Sequence, residues 1–163
     1  MKIKDDMVNA LNKQINEELN SSYIYAAMAA YFDATDLPGF AAWMKAQAKE
    51  EVGHAMRFYE FINDREGEVT LQGIDTPPAG FDSPAAAFEK AYQHEQYITQ
   101  KIADLVKKAR EVGDTPTENF LQWFVAEQVE EETSVMAVLK KIKMVSGSPQ
   151  GLYMLDKELG ARQ

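Results

Sequence analysis

Four long stretches of this chain carry apolar residues at helical spacing, and each apolar seam is broken near its middle by polar side chains. In heptad positions the first seam reads Val8, Leu11, Ile15, Glu18, Ser22, Tyr25, Ala29 and Phe32. The second reads Phe40, Met44, Gln47, Glu51, His54, Phe58 and Phe61, and the third Phe88, Ala91, Glu95, Ile98, Ile102, Leu105 and Ala109. The fourth reads Leu121, Phe124, Gln128, Glu131, Val135, Val138, Ile142 and Val145. A helix with one apolar stripe must bury it against other elements, so four of them predict an all-α four-helix bundle.

Turn residues bound the elements. The spacing predicts helices over about Asp5–Asp33, Pro38–Gly67, Pro84–Gly113 and Thr115–Gly147, with a short fifth helix from Ser148-Pro149 to Gly160. In the fourth start, Thr115 can cap, Pro116 suits the first turn and Glu118 completes a capping box. The links near Thr35 and Gly113 are short and join antiparallel neighbours. The link EGEVTLQGIDTPPAGFD is long and rich in Gly and Pro. Helices of about 30 residues span about 45 Å, and a link of about 16 residues can reach about 50 Å. It can therefore cross the full bundle, giving one long crossover. The expectation is one domain over 1–163, with the bundle over about 5–147 and the last helix over about 149–160.

In such a bundle the seam midpoints share one level. Glu18, Glu51, His54, Glu95, Gln128 and Glu131 should then meet in one buried layer. For a single helix, a central Glu is commonly a heptad slip or a snorkelling side chain, and Glu51-x-x-His54 alone is commonly a surface pair. Four interruptions at one level are harder to produce that way. Burying four carboxylates costs many kcal/mol unless pKa values rise, cations pair with them or metal binds. No Lys or Arg sits on the seams near the layer. Two divalent ions would balance four ionised Glu with His54 neutral, and carboxylates with one imidazole suit iron or manganese.

Composition removes competing chemistry. With no cysteine, the chain has no disulfide, thiolate nucleophile or Cys-held cluster. A net charge of −9 argues against nucleic acid and anionic membranes as partners. The first residues, MKIKDDMVNALNKQ, lack a signal-peptide core, and no run is long enough to span a bilayer. A cytoplasmic protein is expected.

The segments NEELNSSYIY, EEVGH, HEQYITQKI, NFLQWFVAEQVEEE and GLYMLDKEL, in this order, resemble the non-haem ferritins of bacteria and archaea, essentially over the whole chain. The resemblance implies a ferritin-like fold and roles for individual residues. Glu18, Glu51 and His54 would bind a first iron, with Glu51 bridging. Glu95 and Glu131 would bind a second, with Gln128 beside the pair. Tyr25 would supply an electron during oxygen reduction; read from the seam alone, it is a core tyrosine bonded to a carboxylate. Glu50, Glu127 and Glu130 would form a third iron site, although by sequence alone they read as a solvated acidic face. Glu17 and Glu132 read as surface charges, and His94 as exposed.

The implied activity is ferroxidation of Fe(II) by O2 or H2O2, with ferric mineral stored in a hollow cage, as in ferritins of 24 subunits. Val52 stands where a bacterioferritin has its haem methionine, so no haem is expected. Rubrerythrin-like peroxidases need a Cys-held iron, and mini-ferritins place their ligands between subunits. A passive metal-binding shell and a di-iron oxidase acting on peroxide or an organic substrate are the competing readings. Asp114 and Glu118 are candidates for a channel into the cage, or equally for a helix cap and its capping-box partner, and Leu152, Leu155 and Leu159 for packing at a symmetry axis.

Overall fold

In the computed structural model, which describes residues 1–162, five helices account for the ordered elements: α1 (Asp5–Ala34), α2 (Pro38–Asp64), α3 (Pro84–Glu111), α4 (Thr115–Met144) and α5 (Pro149–Gly160). No strand occurs among the described residues. None of the helices is long and apolar enough to cross a membrane.

The helix ends follow local chemistry. Ser83 and Ser148 cap α3 and α5, each accepting a backbone N–H at 3.0 Å, with proline in the first turn. α3 stops where Gly113 turns left-handed at φ 69°, and the Asp114 N–H closes on the Ala109 carbonyl at 2.8 Å. α2 ends by the same closure, Gly67 N–H to Ile62 carbonyl, but here Glu66 takes the positive φ. Gly67 is needed one place later, because a Cβ there would sit 2.9 Å from Ile62. Of the two candidates for the cap of α4, Asp114 rather than Thr115 provides it, accepting from the Thr117 N–H at 3.1 Å, while Glu118 reaches Arg110 instead of closing a capping box.

Two apolar clusters fill the bundle. One joins the C-terminal halves of α1 and α4 to the N-terminal halves of α2 and α3, around Phe32, Phe40, Phe88 and Leu139. The other joins the opposite halves, around Leu11, Phe58, Ile102 and Leu121. α2 and α3 thus run parallel, and the 65–83 segment traverses the bundle to connect them. Asn12 clips this strap to α1 by donating to the Glu68 carbonyl (2.9 Å) and accepting from the Thr70 N–H (3.0 Å).

The predicted seams hold with small rotations. Every predicted seam position of α3 is buried. In α1 Ser21 is buried and Ser22 only partly, and in α2 Ile62 replaces Phe61 as the fully buried residue. α5 lies on the N-terminal half of α2. Leu155 and Leu159 of the expected stripe bury there, and Leu152 is partly buried. Gly39 makes this contact possible, since a Cβ would collide with the Asp156 carbonyl, and the Asp156 carboxylate accepts the Phe40 N–H at 2.9 Å.

Candidate metal centre

Between the two apolar clusters, all four long helices deliver a buried carboxylate to one level. Glu18 comes from α1, Glu51 from α2, Glu95 from α3 and Glu131 from α4, each at most 4% exposed. Each stands on a seam whose neighbours one or two turns away are core residues, so the helical period that buries Ile15 and Tyr25 also buries Glu18. His54 follows Glu51 by one turn, with its Nδ1 3.1 Å from Glu51 Oε2 and 3.9 Å from Glu18 Oε2. Its ring is boxed by the edges of Trp123 and Phe124.

These ligand atoms fall into two groups that share one member. Atoms of Glu18, Glu51 and His54 lie within 4.8 Å of one another, and so do atoms of Glu51, Glu95 and Glu131. Glu51 belongs to both. A third group of the same tightness joins His54, Glu131 and the partly buried Glu127. Glu50 and Glu130 remain exposed on the adjoining surface.

Amides and a phenol brace the carboxylates. Tyr25 donates to Glu95 Oε1 at 2.5 Å. Gln128 donates to the Glu95 carboxylate and carbonyl, both at 3.1 Å. Gln14 donates to Glu18 at 3.1 Å, and Gln47 donates to Glu51 (3.2 Å) and Glu131 (2.5 Å). One buried oxygen, Glu18 Oε2, has no hydrogen-bond partner among the described residues. An orphaned buried carboxylate oxygen is costly and is the kind of atom a cation satisfies. It sits in the group with Glu51 and His54, so the donor set fits a hard divalent ion there.

The electrostatics point the same way. Burial first, then the charge of Glu51, pushes the Glu95 carboxyl up to about 8. Burial, followed by the charges of Glu95 and Glu51, pushes Glu131 up to about 9. Burial and Glu51 raise Glu18 well above the usual range. Burial also works to raise Glu51, but the hydrogen bond and charge of His54, with bonds from Glu18 and Gln47, bring it below its ordinary value. Burial alone would lower His54, and the bond and charge of Glu51 outweigh it. Burial and the Glu95 and Glu51 charges raise Tyr25. The protein's own atoms thus favour the protonated form of three of the four carboxyls. A divalent pair would supply the charge that drives them off.

All the residues expected at mid-height are brought together, Glu18, Glu51, His54, Glu95, Gln128 and Glu131, and Tyr25 reaches the layer through Glu95. Sequence reasoning missed Gln14, which reads as an off-seam polar residue, and Arg162, whose guanidinium reaches Gln47 Oε1 and Glu50 at 3.0 Å. His94, expected to be exposed, is partly buried with its Nε2 2.6 Å from Ser21 Oγ. Asp114 is turned inward onto Arg65, not outward toward a channel.

Comparison with known proteins agrees with this architecture. The family model described as a ferritin-like domain matches residues 8–145. Bacterial non-heme ferritin of Escherichia coli is 38% identical over 157 residues, covering 96% of this chain and 95% of that protein. The Bacteroides fragilis protein of the same name is 38% identical over 160 residues, covering 98% and 99%. Among solved structures, an open-pore ferritin from the hyperthermophilic archaeon Archaeoglobus fulgidus superposes with a TM-score of 0.98 at 47% identity, covering 99% of this chain and all of that one.

Proposed function

The chain belongs to the ferritin-like family, and from that premise we propose that it is an iron-storage subunit that oxidises ferrous iron at the carboxylate ring and passes ferric iron to a mineral inside a homo-oligomeric cage. The observation that carries this reading is the sharing of Glu51 between two ligand groups. A carboxylate common to two sites can hold two cations about 3.5–4 Å apart, as two-metal chemistry requires.

In this reading Glu18 and His54 complete the first iron site, and Glu95 and Glu131 the second. Hard oxygen donors favour the ferric product. Two ferrous ions give one electron each, and dioxygen takes both, with two protons, to become hydrogen peroxide. A third ferrous ion and Tyr25 supply one electron each, which with two protons take that peroxide on to two waters, and Glu95 is placed to accept the Tyr25 hydroxyl proton. Gln128 holds Glu95 in place from the other side. Glu50, Glu127 and Glu130 receive iron on the outer side of the pair, next to His54. We place the subunit in a cage of 24 chains, with dioxygen as the oxidant. A surface cavity of about 610 Å³ lies between the starts of α3 and α5, and no ring residue lines it. That separation favours storage over oxidation of an organic substrate.

The test uses metal-free protein given ferrous iron in air. Ferric absorbance should rise faster than in a blank, with oxygen consumed. Glu51→Ala and His54→Ala should each slow the rise at least about 10-fold while leaving the helical signal intact. Equal rates in all three proteins would remove the two-iron reading. Light scattering should report a cage-sized particle.

A further inference from the structure

The acidic ring is braced from outside the bundle by a residue that belongs to none of the four seams. Beyond α5 the chain turns back over α2, and Arg162 lies along Trp43, Gln47 and Glu50, which share one face of α2 by their spacing. Its guanidinium stacks 4.3 Å from the Trp43 ring centre. One nitrogen donates to the Trp43 carbonyl at 3.3 Å, and the other to Gln47 Oε1 and Glu50 Oε1, both at 3.0 Å. α5 anchors this contact. Leu155, Leu159 and the Asp156 link to the Phe40 N–H dock α5 on α2 immediately before it.

A guanidinium donates and never accepts. The atom of Gln47 that faces Arg162 must therefore be the amide oxygen, which fixes the orientation of the amide. The Gln47 nitrogen is then committed to the ring, where it donates to Glu51 and Glu131. These are the carboxylates that join the two ligand groups and complete the second one.

We propose that Arg162 is a positioning residue for the second metal site. It locks the Gln47 amide so that Glu51 and Glu131 are held in ligating geometry, and it competes with any outer cation for the Glu50 carboxylate. The inference rests on the two-iron reading above. It predicts effects of opposite sign at neighbouring sites, because removing one guanidinium loosens Gln47 and frees Glu50.

The test is anaerobic titration of the assembled, metal-free protein with ferrous iron, comparing wild type, Arg162→Met, Gln47→Met and the double variant. Arg162→Met should weaken the second binding step about 10-fold, the scale found when a residue supporting a ligand is removed. In the Gln47→Met background the same change should add nothing, since Arg162 acts through that amide. Binding beyond two ions per subunit should tighten once Glu50 is free. Unchanged binding in Arg162→Met, or a double variant that sums both single effects, would overturn the proposal. So would uniform weakening of every site or loss of helical signal, either of which marks a general tether. If wild type binds no iron, the two-iron reading itself fails and the inference falls with it.

Discussion

Two buried clusters of charge sit in this bundle, and only one of them contains its own cation. At the end of α2, Arg65 meets Asp114 at 3.1 Å, and Thr117 joins both: its hydroxyl donates to Asp114 and accepts from Arg65. Burial pushes the Asp114 carboxyl up, but bonds from Arg65 and Thr117 bring it below its ordinary value. At mid-height, four carboxylates share a layer where, among the described residues, no Lys or Arg pairs with them and His54 is the only basic partner. There the same burial wins for Glu18, Glu95 and Glu131. The end cluster is complete as protein and serves the fold. The ring is incomplete as protein, as the proposed cation site requires.

The widest separation between the two should come from removing one partner. Arg65→Met leaves Asp114 buried and unpaired, and should cost about 3–5 kcal/mol. For a chain of this size that lowers the melting temperature by roughly 6–20 °C. Glu95→Gln in chelated protein replaces a carboxyl that the fold must keep protonated with an amide that needs no proton, so its melting temperature should stay level or rise. Similar losses in both variants would mean that the ring is a structural network like the other. The matching prediction concerns cations. A divalent ion at about 100 times its Kd should stabilise wild type by about 2.7 kcal/mol and leave Glu51→Ala unmoved. Thermal melts with and without chelator read both effects.

Where sequence reading succeeded and where it stopped follows from this contrast. The ring was legible because it interrupts a period: Glu18, Glu51, Glu95 and Glu131 occupy positions where the neighbouring turns demand Leu, Ile or Phe. The crossover was legible from its length and its Gly and Pro residues. The end cluster was not, because Arg65 and Asp114 lie at helix ends, outside any seam, and only the return of the chain brings them together. Of the two roles open to Asp114, channel lining or helix cap, the structure has the cap, which Thr115 was also a candidate to supply. Arg162 was illegible for the same reason, since nothing in its neighbourhood signals that α5 will fold back onto α2. Helical periodicity reports what one helix presents to a core. It carries no information about contacts made by residues beyond the helix ends.

The two clusters should also respond to pH with opposite sign. Glu95 and Glu131 titrate at about 8 and about 9 in the fold, against an ordinary 4.5. The folded chain keeps protons that the unfolded chain has released. Their stabilisation is therefore full below about 4.5 and lost as pH rises through about 8 to 9. His54, also raised, adds in the same direction. Asp114 is depressed, so its contribution holds above its ordinary 3.8 and is lost only as pH falls below that. Chelated protein should thus melt at lower temperature as pH rises from about 6 to about 9.5, and Glu131→Gln should flatten the fall. Metal affinity should move the other way, increasing over the same range because binding displaces those protons. A melting temperature that rises with pH in chelated protein would contradict the raised carboxyls.

The smallest effects make the finest comparison, since each cluster offers a hydroxyl bonded to a buried carboxylate. Thr117 donates to Asp114 at 2.8 Å, and Tyr25 to Glu95 at 2.5 Å. Asp114 is ionised at neutral pH, so Thr117→Val removes a charge-assisted bond and should cost about 1.5–3 kcal/mol. Glu95, titrating at about 8, is mostly protonated at pH 7 in chelated protein. There Tyr25→Phe removes a bond between neutral groups and should cost only about 1 kcal/mol. Loading the ring with a divalent ion ionises Glu95, so the cost of Tyr25→Phe should then grow toward that of Thr117→Val, whose cost should not change. Denaturant melts of the two variants, with and without the cation, measure that difference. If the Tyr25→Phe cost is the same in both states, the ion does not reach the carboxylate that Tyr25 supports.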